Sequence, residues 1–160
     1  MYEIWRAIPE YPKYLVSNYG RVCRDKILKI DYTRNGYGTV TLNDCPRKKL
    51  HKMVHMLVLM CFFPNPNPDL YDRIDHINRN IRDNRLCNLR WSNAQLNQLN
   101  SNARGFYYDK IKNKFRAVIV IDGKNLYLGS FKYSVNARKA YLRAKSQLLK
   151  YLDPNQKYEI

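Results

Sequence analysis

The sequence lacks the features of membrane-spanning and secreted proteins. It contains no run of about 18 apolar residues, the length that a membrane-spanning helix needs, and its longest apolar stretch, residues 53–63, is interrupted by His55. The first six residues lack a basic segment followed by an apolar one, so we expect no secretory signal. A lone histidine in an apolar run is more typical of a structural residue than of a ligand, and we interpret His55 in this way.

Cysteine is scarce and scattered along the chain. No two of the four are placed at C-x-x-C spacing: Cys23, Cys45, Cys61 and Cys87. The sequence therefore predicts neither a zinc knuckle nor a redox motif, and we expect no zinc. Reduced thiols are typical of intracellular proteins. We expect the protein in the cytoplasm of a host cell, or associated with its nucleoid or nucleus, and not outside the cell.

Acidic residues are few, and the resulting positive charge is unevenly spread. The 160 residues hold 29 Lys and Arg against 13 Asp and Glu, a net charge of +16, which indicates a polyanionic partner. Residues 1–54 carry a net +6, residues 55–103 a net +1 and residues 104–160 a net +9. This pattern is typical of a metal-dependent enzyme centre between two segments that bind nucleic acid, although a solvated basic surface without a partner stays open. The 13% aromatic content excludes disorder throughout.

Turn signals and hydrophobic periodicity predict short strands and one helix in the N-terminal part. Asn18-Tyr19-Gly20 and Asn35-Gly36 are turn signals beside strand candidates. The apolar run 54–63 is long enough and free enough of Gly and Pro to form a buried helix. Pro64 and the prolines after it end this helix, because proline cannot continue one.

The middle of the chain predicts a hairpin followed by a helix. Strands are expected at residues 74–77 and 89–91, and Ser92-x-x-Gln95 fits a capping box that starts a helix. Three more strands and a helix follow in the C-terminal third, at residues 106–108, 115–121 and 126–128 and from about Ser134, with Asp122-Gly123 as a hairpin turn. The fold class is therefore α+β, a small multi-module chain.

Asp75, His76 and Asn97 form the most informative combination of residues. Adjacent residues of a strand point to opposite faces, so Asp75 and His76 can serve two purposes around one site. Asp75 offers a hard oxygen ligand, and Asn97, on the predicted helix, offers a second oxygen. Few oxygen ligands with open positions suit Mg²⁺ or Mn²⁺ and suit zinc poorly, and an imidazole that binds no metal can act as a general base. On the residues alone, a structural role for Asp75 and His76 stays open.

Five stretches of the chain carry a family resemblance. They are V-H-M-L-V (54–58), F-F-P-N-P (62–66), I-D-H-I-N-R-N (74–80), D-N-R-L-C-N-L-R-W (83–91) and N-A-Q-L-N (93–97). Together they resemble the HNH endonuclease family, in particular the homing endonucleases of phages and other mobile elements. The resemblance covers roughly residues 54–102 and implies a ββα-metal core, a hairpin followed by a helix.

The resemblance also implies a role for each residue of the motif. Asp75 and Asn97 would bind one divalent ion, Mg²⁺ or Mn²⁺. His76 would activate the water that attacks the scissile phosphate. Asn88 would brace the hairpin and orient His76. The third motif position is often His in the family and is Asn here, which favours a hard oxygen ligand.

Both flanks are similar to DNA-binding modules that accompany such nucleases. The N-terminal likeness, to the nuclease-associated module that precedes the HNH core, lies in E-I-W-R-A-I-P (3–9), Y-L-V-S-N-Y-G-R-V (14–22) and G-Y-G-T-V-T-L (36–42). The C-terminal likeness, to the APETALA-type DNA-binding domain, lies in R-G-F (104–106), K-F-R-A-V-I (114–119), Y-L-G-S-F (127–131) and A-R-K-A-Y (137–141). The second likeness implies a three-stranded antiparallel sheet packed on one helix.

These likenesses predict three modules and a set of DNA contacts. The modules are residues 1–53, 54–102 and 103–160. The candidate DNA contacts are basic or aromatic side chains: Arg21, Lys48, Lys49, Arg79, Arg82, Arg85, Arg90, Arg104, Lys114, Arg116, Tyr127 and Lys132.

The predicted function is a site-recognising, divalent-metal-dependent endonuclease that cuts double-stranded DNA to 5′-phosphate and 3′-hydroxyl ends. Nicking and double-strand cleavage both stay open. A monomer on an asymmetric site is expected, and a dimer stays open. One alternative is a non-catalytic, sequence-specific DNA-binding regulator. Another is an RNA-binding protein, because Tyr107, Tyr127 and Phe131 on the sheet could stack on bases.

Overall fold

A computed structural model describes residues 2–45 and 48–153, without the side chains of residues 44, 45 and 48. The chain divides into two compact units, Met1–Asn93 and Ala94–Ile160. Each unit combines small antiparallel sheets with helix, so the predicted α+β class is confirmed. The boundary between the two units, after Asn93, coincides with neither boundary of the three predicted modules. The division into three modules stays a prediction.

The first unit is built from short strands around one helix. Its first sheet has the order β1-β2-β3, with strands Trp5–Ile8, Tyr11–Ser17 and Val22–Cys23. Its second has the order β4-β5-β6, with strands Asp31–Tyr32, Gly38–Cys45 and Lys48–Met53. Helix α1, Val54–Phe62, follows β6 directly, and the hairpin β7–β8 consists of Arg73–His76 and Leu89–Ser92. A 3-10 turn, Leu86–Asn88, precedes β8.

Helix α1 forms the centre of the first core. It is apolar on most of its surface, and Val54, Leu57, Val58 and Leu59 are all buried. They pack with buried side chains of β2, β3, β5 and β8 in one cluster. A helix that is apolar on most of its surface is stable only when it is covered on several sides, which explains why strands of both sheets and of the hairpin pack against α1 and leave only part of it, at Met56 and Met60, exposed. The predicted helix over 54–63 is confirmed.

Strand β6 was not expected from the sequence. Its residues, Lys48–Met53, are mostly polar and give no clear alternation. The strand exists because it pairs with β5, with Thr41 opposite His51 and Leu42 opposite Leu50. The turn between β2 and β3 is as predicted: Gly20 lies at φ +79°, and Ser17 Oγ accepts hydrogen bonds from the backbone N–H of Tyr19 and Arg21.

The second unit is a three-stranded sheet with two helices. Helix α2 spans Ala94–Leu99, strands β9 to β11 span Phe106–Asp109, Lys114–Ile121 and Lys124–Phe131, and helix α3 spans Ser134–Leu152. Sheet order is β11-β10-β9. Asp122 and Gly123 both have positive φ, the geometry that an Asp-Gly hairpin turn requires. No helix among the described residues has the length and apolar character to cross a membrane.

Helix α3 and helix α2 both pack on the sheet. Tyr141 of α3 lies in one core cluster with Ile119 of β10 and Leu99 of α2. Helix α2 begins at Ala94, but Gln95 does not serve the expected capping box. Its side chain donates to the Val120 carbonyl at 3.0 Å and accepts from the Asp122 N–H at 2.9 Å, which fixes α2 to the β10–β11 hairpin.

Candidate active site

The β7–β8 hairpin holds the predicted catalytic residues. Asp75 pairs with Arg90 and His76 with Leu89 across the two strands. Both side chains are buried, with 9% of Asp75 and 5% of His76 exposed. Buried polar groups are costly unless they are hydrogen-bonded, so the partners of these two residues define the chemistry of the site.

Asp75 is held in a buried ion pair. Its Oδ2 accepts hydrogen bonds from Arg90 Nε at 3.0 Å and Arg90 Nη2 at 2.7 Å. Arg90 is only 4% exposed. Its guanidinium faces the interior, where it compensates the Asp75 charge and fixes the direction of the carboxylate. This geometry lends no support to the predicted contact of Arg90 with DNA, which stays a prediction.

His76 is held by an asparagine that sequence reasoning missed. His76 Nε2 lies 3.1 Å from Asn84 Oδ1, and both side chains are buried. An amide oxygen only accepts, so Nε2 carries the ring proton. The orientation of the amide is supported by its nitrogen, which donates to the Arg82 carbonyl at 3.4 Å. In the neutral ring this leaves Nδ1 as the atom that can accept a proton.

Asn88 braces the loop and does not bond the ring of His76. Its Oδ1 accepts from the Asn78 N–H at 2.9 Å, and its Nδ2 donates to the Asp83 carbonyl at 2.7 Å. The predicted bracing role fits these bonds, while the orienting role falls to Asn84. Nothing in the spacing distinguishes Asn84 from the other asparagines of this polar loop, because its bond to His76 crosses the loop.

A second histidine lies beside His76. The rings of His55 and His76 meet edge to face, with centroids 5.3 Å apart, and Tyr37 contacts both rings. Burial lowers the pKa of His55 to about 4, with a smaller contribution from His76. Its Nδ1 is buried and has no hydrogen-bond partner among the described residues. His55 is thus a neutral neighbour of the candidate base, a proximity that its place in an apolar run did not indicate.

The other candidate DNA contacts of the first unit have varied surroundings. Arg85 forms two 2.7 Å bonds with Asp83, and this guanidinium lowers the pKa of the Asp83 carboxyl to about 2. Arg82 lies over the Tyr32 ring, 4.7 Å from its centroid. Arg79 is exposed. Two further residues are Arg21, which pairs with Glu3, and Lys49, which is exposed on β6. The side chain of Lys48 lies outside the described part of the chain.

The candidate contacts of the second unit lie along its sheet. Arg116 is placed over the rings of Tyr107 and Tyr127, at 6.0 and 4.9 Å, and bonds Asp109 at 3.4 Å. Arg116, Tyr107 and Tyr127 line part of a cavity of about 600 Å³. The remaining candidates are Arg104, over the Phe106 ring, and the exposed Lys114 and Lys132. Asn97 is half-buried on α2.

The donor set at the hairpin fits a divalent ion with few protein ligands. Asp75 supplies carboxylate oxygen, and Arg90 orients it as outer-shell partners of metal-ligating carboxylates do. Among the described residues, no group of three or more His, Cys, Asp and Glu is gathered to hold a metal. Mg²⁺ is commonly bound by one or two carboxylates and completes its shell with water and substrate phosphate.

The chain resembles HNH homing endonucleases in fold and in sequence. A solved structure described as DNA binding and cleavage by the HNH homing endonuclease I-HmuI matches with a TM-score of 0.56 and 27% identity, over 93% of this chain and 89% of that one. In sequence, the chain is 39% identical over 100 residues to the uncharacterized HNH endonuclease L247 of Acanthamoeba polyphaga mimivirus. The matched residues make up 59% of this chain. They correspond to only 25% of the length of the mimivirus protein.

A family model described as NUMOD4 motif matches residues 3–43. The match lies within the segment expected to resemble a nuclease-associated module. The expected likeness to HNH endonucleases is confirmed at this level. The likeness of the C-terminal part to an APETALA-type domain stays a prediction.

Proposed function

We propose that the protein is a divalent-metal-dependent DNA endonuclease of the HNH type that recognises a DNA site. The observation that carries this proposal is the buried Asp75–His76 pair, in which Asn84 holds His76 and Arg90 holds Asp75. It is supported by the likeness to I-HmuI, whose solved structure concerns DNA binding and cleavage. The net charge of +16 suits a DNA partner.

His76 is the proposed general base. Its Nε2–H is directed to Asn84, so Nδ1 takes a proton from water. The resulting hydroxide attacks the scissile phosphorus, and the bond from phosphorus to the 3′ oxygen breaks. The leaving oxygen takes a proton from solvent, which gives a 5′-phosphate and a 3′-hydroxyl end.

Asp75 is the proposed ligand of a divalent ion, Mg²⁺ or Mn²⁺, with Asn97 as the second ligand by resemblance. When bound, such an ion polarises the phosphoryl group and stabilises the developing charge of the leaving oxygen. Arg90 keeps the Asp75 carboxylate fixed, so little reorganisation is needed when the ion binds. Asp75→Ala and Asn97→Ala should each raise the Mg²⁺ concentration needed for half-maximal cleavage.

Plasmid cleavage tests the proposal directly. Wild-type protein should nick or linearise supercoiled DNA with Mg²⁺ and not with EDTA. His76→Ala should bind DNA without cutting it. His51→Ala is the matched control, because His51 is exposed on β6 and its ring is hydrogen-bonded to Thr41. Equal cleavage by His76→Ala and wild type would remove His76 as the base.

A non-catalytic DNA-binding regulator is the second candidate. The engagement of Asp75 by Arg90 favours it, since the same carboxylate that would bind the ion already has a buried cationic partner. Sequence-specific binding by wild-type protein without cleavage in Mg²⁺ or Mn²⁺ would support this candidate. An RNA-binding protein is a third possibility, because the half-exposed rings of Tyr107 and Tyr127 could stack on bases. Competition between duplex DNA and single-stranded RNA for the protein distinguishes it from the nuclease and from the DNA-binding regulator.

A monomer acting inside the cell on an asymmetric DNA site completes the proposal. The two units differ in fold, which suits recognition of two unlike half-sites. Light scattering of the complex with a DNA duplex that the protein cuts should give one protein chain per duplex.

A further inference from the structure

Arg79 has a backbone conformation that arginine rarely adopts. Its φ is +65°, in the left-handed region, where the Cβ atom of an L-residue is crowded. The other described non-glycine residues at positive φ are Asn113 and Asp122, whose short polar side chains tolerate this region. Glycine would adopt it without crowding. Arginine at this position is therefore unfavourable for the fold.

The surrounding loop imposes this conformation. Arg79 N–H donates to the His76 carbonyl at 2.7 Å, which closes a tight turn at the end of β7. On one side Asn88 fixes the backbone N–H of Asn78, and on the other Asn78 Oδ1 accepts from the Asn80 N–H at 2.8 Å. Strained residues persist where neighbours determine the backbone in this way, and they cluster at functional sites.

Arg79 follows the candidate base by three residues. Arg79 is exposed in the turn that begins at His76. A guanidinium there can bind phosphate with two parallel hydrogen bonds.

We propose that Arg79 binds a non-bridging phosphate oxygen of the DNA strand that His76 attacks. This inference rests on the proposed nuclease function. Phosphate binding then accounts for the unfavourable backbone conformation of Arg79, because this turn at the end of β7 places the guanidinium-bearing residue three positions after the base. Arg79 thus positions the substrate for His76.

Four variants separate charge from backbone strain. Arg79→Gly removes both, Arg79→Ala removes the charge only, and Arg79→Lys keeps a charge. Arg73→Ala is the matched control, because Arg73 is exposed and lies three residues before His76, as Arg79 lies three after it. All are made in the full chain, with thermal melting, plasmid cleavage in Mg²⁺ and the salt dependence of DNA binding as readouts.

Removing the strain should raise the melting temperature, whereas removing the charge should lower kcat/KM for cleavage. Arg79→Gly should melt roughly 2–4 °C above Arg79→Ala, the shift that relief of about 1 kcal/mol gives in a chain of this size. Both should lose roughly 10- to 100-fold in kcat/KM, as expected for a charge-assisted hydrogen bond, and about one unit of salt slope. Arg79→Lys should retain more cleavage than either, and Arg73→Ala should cleave like wild type.

Wild-type activity is measured first, so that two failures can be told apart. No cleavage by wild type would overturn the proposed function, and the inference with it. An active wild type with equally active Arg79→Gly and Arg79→Ala would overturn the inference alone. An equal loss in Arg73→Ala would do the same, because the effect would then belong to general positive charge.

Discussion

At the residue scale, the site consists of polar pairs that are almost completely removed from solvent. Arg90 holds Asp75, and Asn84 holds His76. A buried polar group contributes little when it is satisfied and costs much when its partner is removed. Single substitutions in these pairs should therefore have large effects that depend on which partner is left behind.

Arg90→Leu should destabilise the protein by about 3–5 kcal/mol, because it leaves the Asp75 carboxylate buried without its cation. Arg73→Leu should change the free energy of unfolding far less, because its ion pair is exposed to solvent. Arg73 also pairs with its carboxylate through two bonds, but the Arg73 and Asp72 side chains are 47% and 59% exposed, against 4% and 10% for Arg90 and Asp75. Urea unfolding monitored by circular dichroism measures both. Equal costs would show that burial does not decide the strength of the Asp75 pair.

Asn84→Ala should lower kcat roughly 10- to 100-fold with little change in DNA affinity. The substitution removes the acceptor of the His76 Nε2 proton, so the ring loses its fixed orientation and tautomer. Asn80→Ala, in the same loop but exposed, should leave kcat close to the wild-type value. Single-turnover cleavage and filter binding separate the two parameters. A loss of affinity at unchanged kcat would contradict the assignment of Asn84 to the ring of His76.

Protonation of His55 should destabilise the protein in acid. Its pKa is about 4 in the folded protein, below the ordinary value of 6.5, so the unfolded chain binds more protons between these two values. Stability is then lost as pH falls through this window. Between about pH 7 and pH 4.5 the wild type should lose roughly 2 kcal/mol more than His55→Phe, which cannot titrate. Urea unfolding at both pH values measures the difference, and parallel losses in the two proteins would refute it.

At the element scale, local signals predict the elements well, and contacts between distant residues account for what they miss. Helix α1 ends before Pro64, and the β10–β11 turn falls at Asp122-Gly123, as periodicity and turn chemistry indicate. Such signals lie within a few neighbouring residues. Strand β6 and the bond between His76 and Asn84 depend on pairing across loops, which leaves no periodic trace in the sequence.

The turn between β2 and β3 supports the candidate site through Gly20. A Cβ atom on Gly20 would lie 2.8 Å from both the Cβ and the carbonyl oxygen of Asn84, whereas one on Gly123 would meet nothing within 4 Å. Both glycines have similar positive φ, +79° and +75°. Gly20→Ala and Gly123→Ala should therefore share a conformational cost of about 1–2 kcal/mol, and Gly20→Ala should cost roughly 1–3 kcal/mol more through the clash.

Cleavage should distinguish the two glycine variants as well. Because Asn84 must move to admit the new methyl group, Gly20→Ala should also slow the cleavage step, while Gly123→Ala should not. Urea unfolding and single-turnover cleavage are measured on the same preparations. Equal free energies of unfolding for the two variants would mean that Asn84 moves aside at no energetic cost.

At the scale of the whole molecule, both units are strongly basic. Residues 1–93 hold 16 basic and 9 acidic side chains, a net +7, and residues 94–160 hold 13 and 4, a net +9. At the hairpin of the first unit, two of these basic side chains, Arg85 and Arg90, form ion pairs with Asp83 and Asp75. Exposed basic side chains of the second unit lie both at its sheet and on helix α3. If the sheet contacts DNA as predicted, these two groups of charges should contribute unequally to binding.

Salt dependence of DNA binding can separate the sheet from the helix. Lys114→Gln with Lys132→Gln removes two exposed charges at the ends of β10 and β11, and Lys139→Gln with Arg143→Gln removes two from α3. Both double variants have the same net charge, so a purely long-range effect would weaken binding equally. Neutralising one side chain that binds a phosphate lowers the slope of log K against log salt concentration by about 0.9. We expect the slope to fall by nearly two units in the sheet variant and to stay almost unchanged in the helix variant, measured by fluorescence anisotropy on one duplex. The reverse order would place the DNA on the helix side of the second unit and would contradict the predicted role of Lys114 and Lys132.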